Sequence, residues 1–303
     1  MATGDIRYYE VARNLLLSYR WYSREPLPFA IICEDENEVT AEFDDVILID
    51  NPVHSFLDKL RVPELCPYDE TIFIDSDCLA YRDLNGLWRL FSHSGDFSVP
   101  GFRYRLDSGR GWLSKDGAGV YKERVRFSMI YQGGIFFMRK GKLDAFSDDC
   151  KYILDNFDSF RFPGYPFKGP VDEQIFALAS SIHGYEPSRP YERVFCYYPL
   201  CRSVDMDISE GRLSYRYNGT FIYPEGRFFL HWSMAEVEGD LYKREVGRLA
   251  SMISSGKRPG HFWELRNRSL DFFLHIMFYC RSLYIKIVLY LRKVVFRRVI
   301  KGR

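Results

Sequence analysis

The stretch Tyr68–Leu84, YDETIFIDSDCLAYRDL, decides the fold. Its uncharged residues 71–74 have strand character and run directly into Asp75-Ser76-Asp77, so two carboxylates follow the end of a strand that we predict to be buried. Hard cations such as Mg²⁺ or Mn²⁺ bind oxygen ligands of this kind, and open α/β sheets bind ligands beyond the carboxyl ends of their strands. Taken alone, the tripeptide is equally compatible with a solvated turn.

Strand and helix patterns alternate on both sides of this stretch. Short apolar runs predict strands over 29–33, 46–49, 71–74, 135–138 and 228–231. Helical spacing or composition predicts helices over 8–21, 55–60, 84–91, 143–156 and 171–181. The alternation is typical of βαβ units and predicts an α/β fold with a mainly parallel sheet. The Gly-rich and charged segment 95–126, most irregular over 103–125, predicts either a functional lid or disorder.

The charge is distributed unevenly along the 303 residues. Net charge is +1, but residues 266–303 contain ten Lys or Arg and one acid, which leaves 32 basic and 40 acidic residues before them. Aromatic and aliphatic residues alternate with these basic residues at helical spacing over 262–301, which predicts a basic amphipathic tail for an anionic membrane surface. A helix packed on the body remains an alternative. Nucleic acid is not expected, because the other face is too apolar for a phosphate-binding stripe.

Cysteine usage and hydropathy predict where the chain is found. Its seven cysteines are odd in number and irregularly spaced, which favours a reducing compartment over a disulfide framework or a zinc site. We find no signal peptide pattern and no uncharged run of the roughly 18 residues that a spanning helix needs. The expectation is a cytoplasmic protein, peripherally associated with the inner face of the membrane.

The order of features over 69–91 resembles the DxD segment of a known enzyme family. A strand, DSD, an apolar pair, Asp-Leu and a short helix recur in this order in GT-A fold nucleotide-sugar glycosyltransferases, particularly the retaining family 8-type enzymes. The resemblance covers about residues 1–245. It implies a GT-A domain over 1–255, Rossmann-like with helices flanking the sheet, followed by the tail over 256–303. It also implies a Mn²⁺ or Mg²⁺ cofactor, a UDP-sugar donor and a glycan or glycolipid acceptor.

The resemblance also implies which residues bind the donor. The first strand end would hold the base and ribose, one of Tyr8 or Tyr9 would stack on the base, and Lys59 would reach the diphosphate or sugar. Tyr8 is equally compatible with the core, and Lys59 with an ordinary surface lysine. The implied donor-binding residues are Ala2, Thr3, Gly4, Tyr8, Lys59, Asp75, Ser76, Gln132, Gly133 and Gly134.

The metal and catalytic residues follow from the same resemblance. Asp75, Asp77 and His231 would hold the cation, and Asp172 and Glu173 would face the reacting sugar carbon. The retaining enzymes of the family have Gln at the position that Glu173 occupies here. If the reaction instead inverts, either Asp172 or Glu173 could be the general base. The stereochemical course therefore stays open.

This chain departs from the family pattern after the histidine. The usual Lys-Pro-Trp is absent, and Lys243 is a candidate replacement by proximity alone. Two rival functions remain. A phosphatase of the haloacid dehalogenase type also has DxD after a strand, but near its first strand, and a membrane-bound GT-A scaffold that recruits enzymes would need no metal site.

Overall fold

The structure is a computed structural model that describes residues 1–91, 94–163, 165–166, 169–188, 194–217 and 228–256. The predicted tail over 256–303 lies outside the described residues except for Gly256. The helices are α1 (Arg7–Tyr22), α2 (Val62–Leu65), α3 (Trp88–Phe91), α4 (Asp144–Asp155), α5 (Asp172–His183) and α6 (Asp240–Ser255). The strands are β1 (Ala30–Cys33), β2 (Asp45–Leu48), β3 (Glu70–Ile74), β4 (Cys78–Ala80), β5 (Phe97–Ser98), β6 (Gly101–Tyr104), β7 (Ser128–Tyr131), β8 (Ile135–Arg139), β9 (Phe195–Tyr197), β10 (Cys201–Asp207), β11 (Arg212–Tyr217) and β12 (Phe229–His231).

The α/β class is confirmed, and the strands form mixed sheets. Strands β1 and β2 are parallel, as are β9 and β12, whereas β3–β8, β5–β8, β4–β12, β6–β7 and β10–β11 are antiparallel. Only these first two of the seven described strand pairs are parallel, so the mainly parallel sheet expected from the sequence is wrong in pairing direction. Strand β8 runs antiparallel to β3 because it begins where β3 ends, with Ile135 opposite Ile74. This antiparallel register places residues 132–134 beside residues 75–77.

The predicted helices form where apolar side chains recur on one face. In α1, Val11, Leu15 and Tyr19 are four residues apart and all are buried. Ser18 on the same helix accepts a hydrogen bond from the backbone N–H of Ala80 at 2.9 Å, which fixes α1 over β4. Helices α4 and α5 match the predictions over 143–156 and 171–181, while 55–60 and the start of 84–91 are 3₁₀ helices.

Aromatic pairs join β3 to the rest of the core. Phe73 on β3 lies opposite Phe136 on β8, and their rings stack with centroids 4.5 Å apart. Phe97 on β5 and Phe176 on α5 pack against the ring of Phe136. Burial of such rings stabilises the folded state by about 1.5–3 kcal/mol each, so the strand that leads into Asp75 is firmly anchored.

The irregular segment 103–125 is packed rather than disordered. Trp112, Leu113 and Tyr121 from this segment are buried in the main hydrophobic core. Two short 3₁₀ helices, Leu106–Ser108 and Asp116–Tyr121, cover nine of its 23 residues. Of the two expectations for this segment, disorder is wrong, because its buried side chains fix it to the body.

Candidate active site

Backbone hydrogen bonds position the DSD turn between β3 and β4. The N–H of Asp75 donates to the carbonyl oxygen of Gly134 at 2.9 Å, and the N–H of Trp232 donates to that of Asp77 at 2.9 Å. Strand β12 is antiparallel to β4, with His231 opposite Cys78. The two carboxylates and the histidine therefore come from two separate stretches of the chain, and Gly134 on a third stretch fixes the DSD turn.

The three predicted metal ligands converge at this turn. His231 Nε2 lies 3.2 Å from Asp77 Oδ1 and 3.6 Å from Asp75 Oδ2, and the histidine is only 4% exposed. Its Nδ1 lies 3.2 Å from the Gln132 side-chain oxygen, which fixes the ring plane. Two carboxylates and an imidazole held in this way form a donor set that suits Mn²⁺ and related cations.

Charge interactions rather than solvent control the ionisation of His231. Burial lowers the pKa of the imidazole, but the carboxylates of Asp77 and Asp75 outweigh burial, so the pKa is raised above its usual value. Without a cation, the imidazolium neutralises part of the carboxylate charge. Metal binding at Nε2 would release that proton.

Cys78 is a fourth side chain near this group that the sequence did not suggest. Ligand atoms of Asp77, Cys78 and His231 lie within 4.8 Å of one another. Burial, and then the charges of Asp77 and Asp75, raise the pKa of the Cys78 thiol well above its usual range. Because only a thiolate is a good metal ligand, the oxygen of Asp75 fits a hard cation better than this sulfur does.

Lys59 connects the DSD turn to the start of α5. Its Nζ lies 2.8 Å from the Asp75 carboxylate and 3.7 Å from Asp172 Oδ2, and it donates to the Gly133 carbonyl oxygen at 3.4 Å. Although burial lowers the pKa of Lys59, the two carboxylates raise it above its usual value, so the amine stays charged. The surface-lysine alternative is wrong, because Lys59 is buried.

The two carboxylates at the start of α5 have different surroundings. Glu173 Oε1 accepts a hydrogen bond from the Gly133 N–H, and its Oε2 accepts one from the Tyr165 hydroxyl, both at 2.7 Å. Asp172 Oδ2 is buried and accepts no hydrogen bond. Burial raises the pKa of Asp172 to about 7, against the lowering effect of Lys59, and burial also raises the pKa of Glu173.

The glycine pair allows these groups to approach the chain closely. A Cβ on Gly133 would lie 2.9 Å from Asp172 Oδ2, and one on Gly134 would lie 2.4 Å from His231 Nδ1. Both distances are too short for a side chain. Gln132 contributes its oxygen, which accepts the Gly134 N–H at 2.8 Å. Residues 132–134 therefore form the wall between the predicted metal ligands and α5.

The N-terminal residues lie against the end of β1. Ala2 is buried and bridges Cys33 in parallel, while Thr3 Oγ1 donates to Asp58 at 3.4 Å. Gly4 has φ of +85°, which favours glycine, and its N–H donates to Glu34.

The two tyrosines at the start of α1 differ in burial. Tyr9 is buried and its hydroxyl accepts the Asp35 N–H, so it belongs to the core. Tyr8 is partly exposed, and burial together with the charges of Asp77 and Asp75 raises its pKa. Of the two rings only that of Tyr8 is partly exposed, and its stacking on a nucleobase stays a prediction.

Two further candidate residues differ in burial. Ser76 is buried and lines an apolar cavity of about 300 Å³ between β1 and β3. Lys243 is exposed on α6, and its role as a replacement for the family's Lys-Pro-Trp stays a prediction.

Two tyrosines at the site were missed by sequence reasoning. Tyr165 donates to Glu173, and the ring of Tyr197 lies 5.0 Å from that of His231. Tyr165 lies in a Pro/Gly-rich segment seven residues before Asp172, and no local pattern connects it to the two acids of α5. Tyr197 reaches the site only through the parallel pairing of β9 with β12, which the sequence does not specify.

Comparison with known proteins places this geometry in a known fold. No protein-family model matches the chain, and no curated protein matches its sequence. The galactosyltransferase LgtC, solved in complex with donor and acceptor sugar analogs, is similar over 86% of this chain and 97% of its own, with 14% identity and a TM-score of 0.50. The chain has the α/β fold of LgtC. The GT-A fold class expected from the DxD segment is thus confirmed, while family 8 membership stays a prediction.

Two other glycosyltransferases are similar over part of their length. GlyE of Streptococcus pneumoniae TIGR4 shares 14% identity over 62% of this chain and 43% of its own, with a TM-score of 0.39. The bifunctional glycosyltransferase WbbM shares 14% identity over 64% and 39%, with a TM-score of 0.41. The chain spans less than half the length of these two proteins.

Proposed function

We propose that this chain is a metal-dependent glycosyltransferase that moves a sugar from a nucleoside-diphosphate donor, a UDP-sugar, to a hydroxyl of a glycan or glycolipid acceptor. The observation that carries the proposal is the convergence of Asp75, Asp77 and His231 next to Lys59 and Asp172. This arrangement occurs in a fold shared with a galactosyltransferase.

The donor set fits a divalent cation. Asp75, Asp77 and His231 would hold it, and the carboxylate oxygens favour Mn²⁺ or Mg²⁺. A bound cation would stabilise the negative charge that grows on the leaving nucleoside diphosphate. Around it, Gln132 orients His231, and the bare backbone of Gly133 and Gly134 leaves room for this contact.

The ionisable residues next to the predicted metal ligands have three different roles. Lys59 holds Asp75 and Asp172 in place as a buried cation. Both oxygens of Glu173 already accept hydrogen bonds, which makes it a positioning residue for the Gly133 backbone. Asp172 keeps one buried oxygen without a hydrogen bond, so it is the carboxylate that can accept a hydrogen bond or a proton from a sugar hydroxyl.

The stereochemical course tests the role of Asp172 separately. In an inverting reaction the ionised Asp172 would accept the proton of the acceptor hydroxyl as general base. In a retaining reaction it would only orient the reacting sugar. The anomer of the product, determined by ¹H NMR, distinguishes the two.

Nucleotide binding tests the proposal directly. Calorimetry with UDP, GDP and CDP should detect binding that requires Mn²⁺ or Mg²⁺ and is lost in Asp77→Ala. Asp148→Ala, which removes an exposed carboxylate of α4, is the matched control and should bind as wild type. A screen of nucleotide sugars for donor hydrolysis would then identify the sugar.

Other outcomes of the same experiment would favour the rival functions. Metal-independent binding, or none to any nucleotide, would refute the proposed site. A folded chain without nucleotide binding would favour a non-catalytic GT-A scaffold. Hydrolysis of simple phosphate esters without nucleotide-sugar turnover would favour a phosphatase.

We also propose that the basic tail attaches the enzyme to the inner face of the cytoplasmic membrane. No helix among residues 1–256, as far as they are described, is long and apolar enough to cross a bilayer. Ten basic residues among aromatic ones over 266–303 favour an anionic lipid surface. Deletion of 262–303 should abolish sedimentation with anionic liposomes, and sedimentation equal to that of the full chain would contradict the proposal.

A further inference from the structure

Two cysteines near the candidate site have their sulfur atoms in contact. Cys196 on β9 and Cys201 at the start of β10 have Sγ atoms 3.2 Å apart, and Cys201 Sγ also donates to the Tyr197 carbonyl oxygen at 3.3 Å. Cys196 is fully buried, whereas Cys201 is partly exposed. The remaining cysteines of the described ranges, Cys33, Cys66, Cys78 and Cys150, are all buried.

The turn between these two cysteines packs against the candidate metal site. Tyr197 lies opposite His231 in the β9–β12 pairing, and the two rings have centroids 5.0 Å apart. Tyr198 stacks on Trp232, the residue after His231, at 4.7 Å. A covalent bond across the turn would therefore constrain the two rings that contact His231 and its neighbour.

We propose that Cys196 and Cys201 form an oxidation-sensitive thiol pair that hydrogen peroxide converts into a disulfide. The partly exposed Cys201 thiol is oxidised to a sulfenic acid, and the peroxide is reduced, releasing one molecule of water. The Cys196 sulfur then attacks the Cys201 sulfur, an S–S bond forms, and the sulfenic oxygen leaves as a second water with the remaining proton. A disulfide has an S–S length of about 2.05 Å, so the sulfurs approach each other by roughly 1.2 Å.

Peptide mapping of the full-length protein tests the bond itself. After treatment with stoichiometric hydrogen peroxide and alkylation of free thiols, we expect a peptide in which Cys196 and Cys201 are linked, about 2 Da lighter than the dithiol form and restored by dithiothreitol. The product should be absent from Cys201→Ser and present in Cys66→Ser, which removes a buried thiol elsewhere. Cys201 oxidised without linkage to Cys196, or no more oxidised than buried Cys150, would overturn the proposal.

Nucleotide affinity tests whether the bond acts on the site, and this second step rests on the proposed function. Because the closing bond shifts the turn beside His231 by a distance on the order of 1 Å, we expect oxidation to weaken metal-dependent UDP binding by about tenfold in wild type. Cys201→Ser should keep its affinity after the same treatment. Equal affinity of oxidised and reduced wild type would refute the coupling. Absent UDP binding by the reduced protein would refute the proposed function, while the disulfide mapping would still decide the thiol pair.

Discussion

The substitution Gly134→Ala tests the wall between the predicted metal ligands and α5. A Cβ at this position would lie 2.4 Å from His231 Nδ1, 2.6 Å from its Cε1 and 2.8 Å from Gln132 Oε1, whereas ordinary contacts begin near 3.4 Å. The imidazole must therefore move by about 1 Å, or the backbone must shift by a similar distance. Either movement changes the distances from His231 to Asp77 and Asp75.

The size of the expected effect follows from this displacement. A misplacement of about 1 Å in a catalytic constellation costs on the order of 10²-fold in activity. Inserting a methyl group into a packed site also costs about 1–3 kcal/mol of unfolding free energy. We therefore expect Gly134→Ala to fold with reduced stability and to weaken Mn²⁺-dependent nucleotide binding by up to about 10²-fold.

Gly247→Ala is the matched control for this substitution. Gly247 lies within α6, and a Cβ there would meet no atom within 4 Å. The same chemical change should raise the unfolding free energy by about 0.5–1 kcal/mol and leave binding unchanged. Both variants would be compared by calorimetry with Mn²⁺ and UDP and by urea unfolding. Wild-type binding by a stably folded Gly134→Ala would refute the proposed role of the His231 contact.

The remaining predictions concern the buried charges. Lys59→Met should lower the unfolding free energy by about 3–5 kcal/mol in urea titrations, because Asp75 and Asp172 would lose their buried cation, and a loss below about 1 kcal/mol would contradict this. In an inverting reaction, turnover should rise with pH as Asp172, which faces Lys59, Glu173 and Asp75, loses its proton; the pKa of Asp172 is raised to about 7 in the metal-free site and would be lower with a cation bound, and a rise that persists in Asp172→Asn would assign it to another group. Tyr165→Phe removes the donor to Glu173 and should cost about 1.5–3 kcal/mol of stability, whereas an unchanged urea midpoint would show that this bond contributes nothing.

The sequence predicted most of the elements because their signals are local. Apolar spacing located α1 and α5 to within two residues at each end, and the run before Asp75 located β3. Pairing direction was harder to predict, because the register of β8 against β3 depends on how a long intervening segment returns to the sheet. Disorder over 103–125, one of the two expectations for this segment, was wrong for a related reason. Its glycines and charges favour a loop, but Trp112 and Tyr121 are buried by tertiary contacts.

The site shows the same division between local and long-range signals. The resemblance suggested His231 and Gln132, residues 99 positions apart, and the structure places their side chains in contact. It did not suggest that the amine of Lys59 would form ion pairs with two carboxylates, because these contacts depend on the start of α5 lying beside the DSD turn. The hydrogen bonds of Glu173 were equally inaccessible, since they come from a backbone N–H and from a tyrosine outside the motif.

Charge balance connects the metal ligands to the pKa of Asp172. Four carboxylates and two cationic side chains lie within a few ångströms of one another in a largely buried region: Asp75, Asp77, Asp172, Glu173, Lys59 and His231. With every group ionised the cluster carries a net charge of −2, which burial makes costly. Protonation of Asp172 near pH 7 removes one unit of that charge. A divalent cation at His231 Nε2 would also remove one unit, because it adds two positive charges and displaces the imidazolium proton. The burial that raises the pKa of Asp172 is therefore also a driving force for cation binding, and the two processes oppose each other because they neutralise the same excess charge.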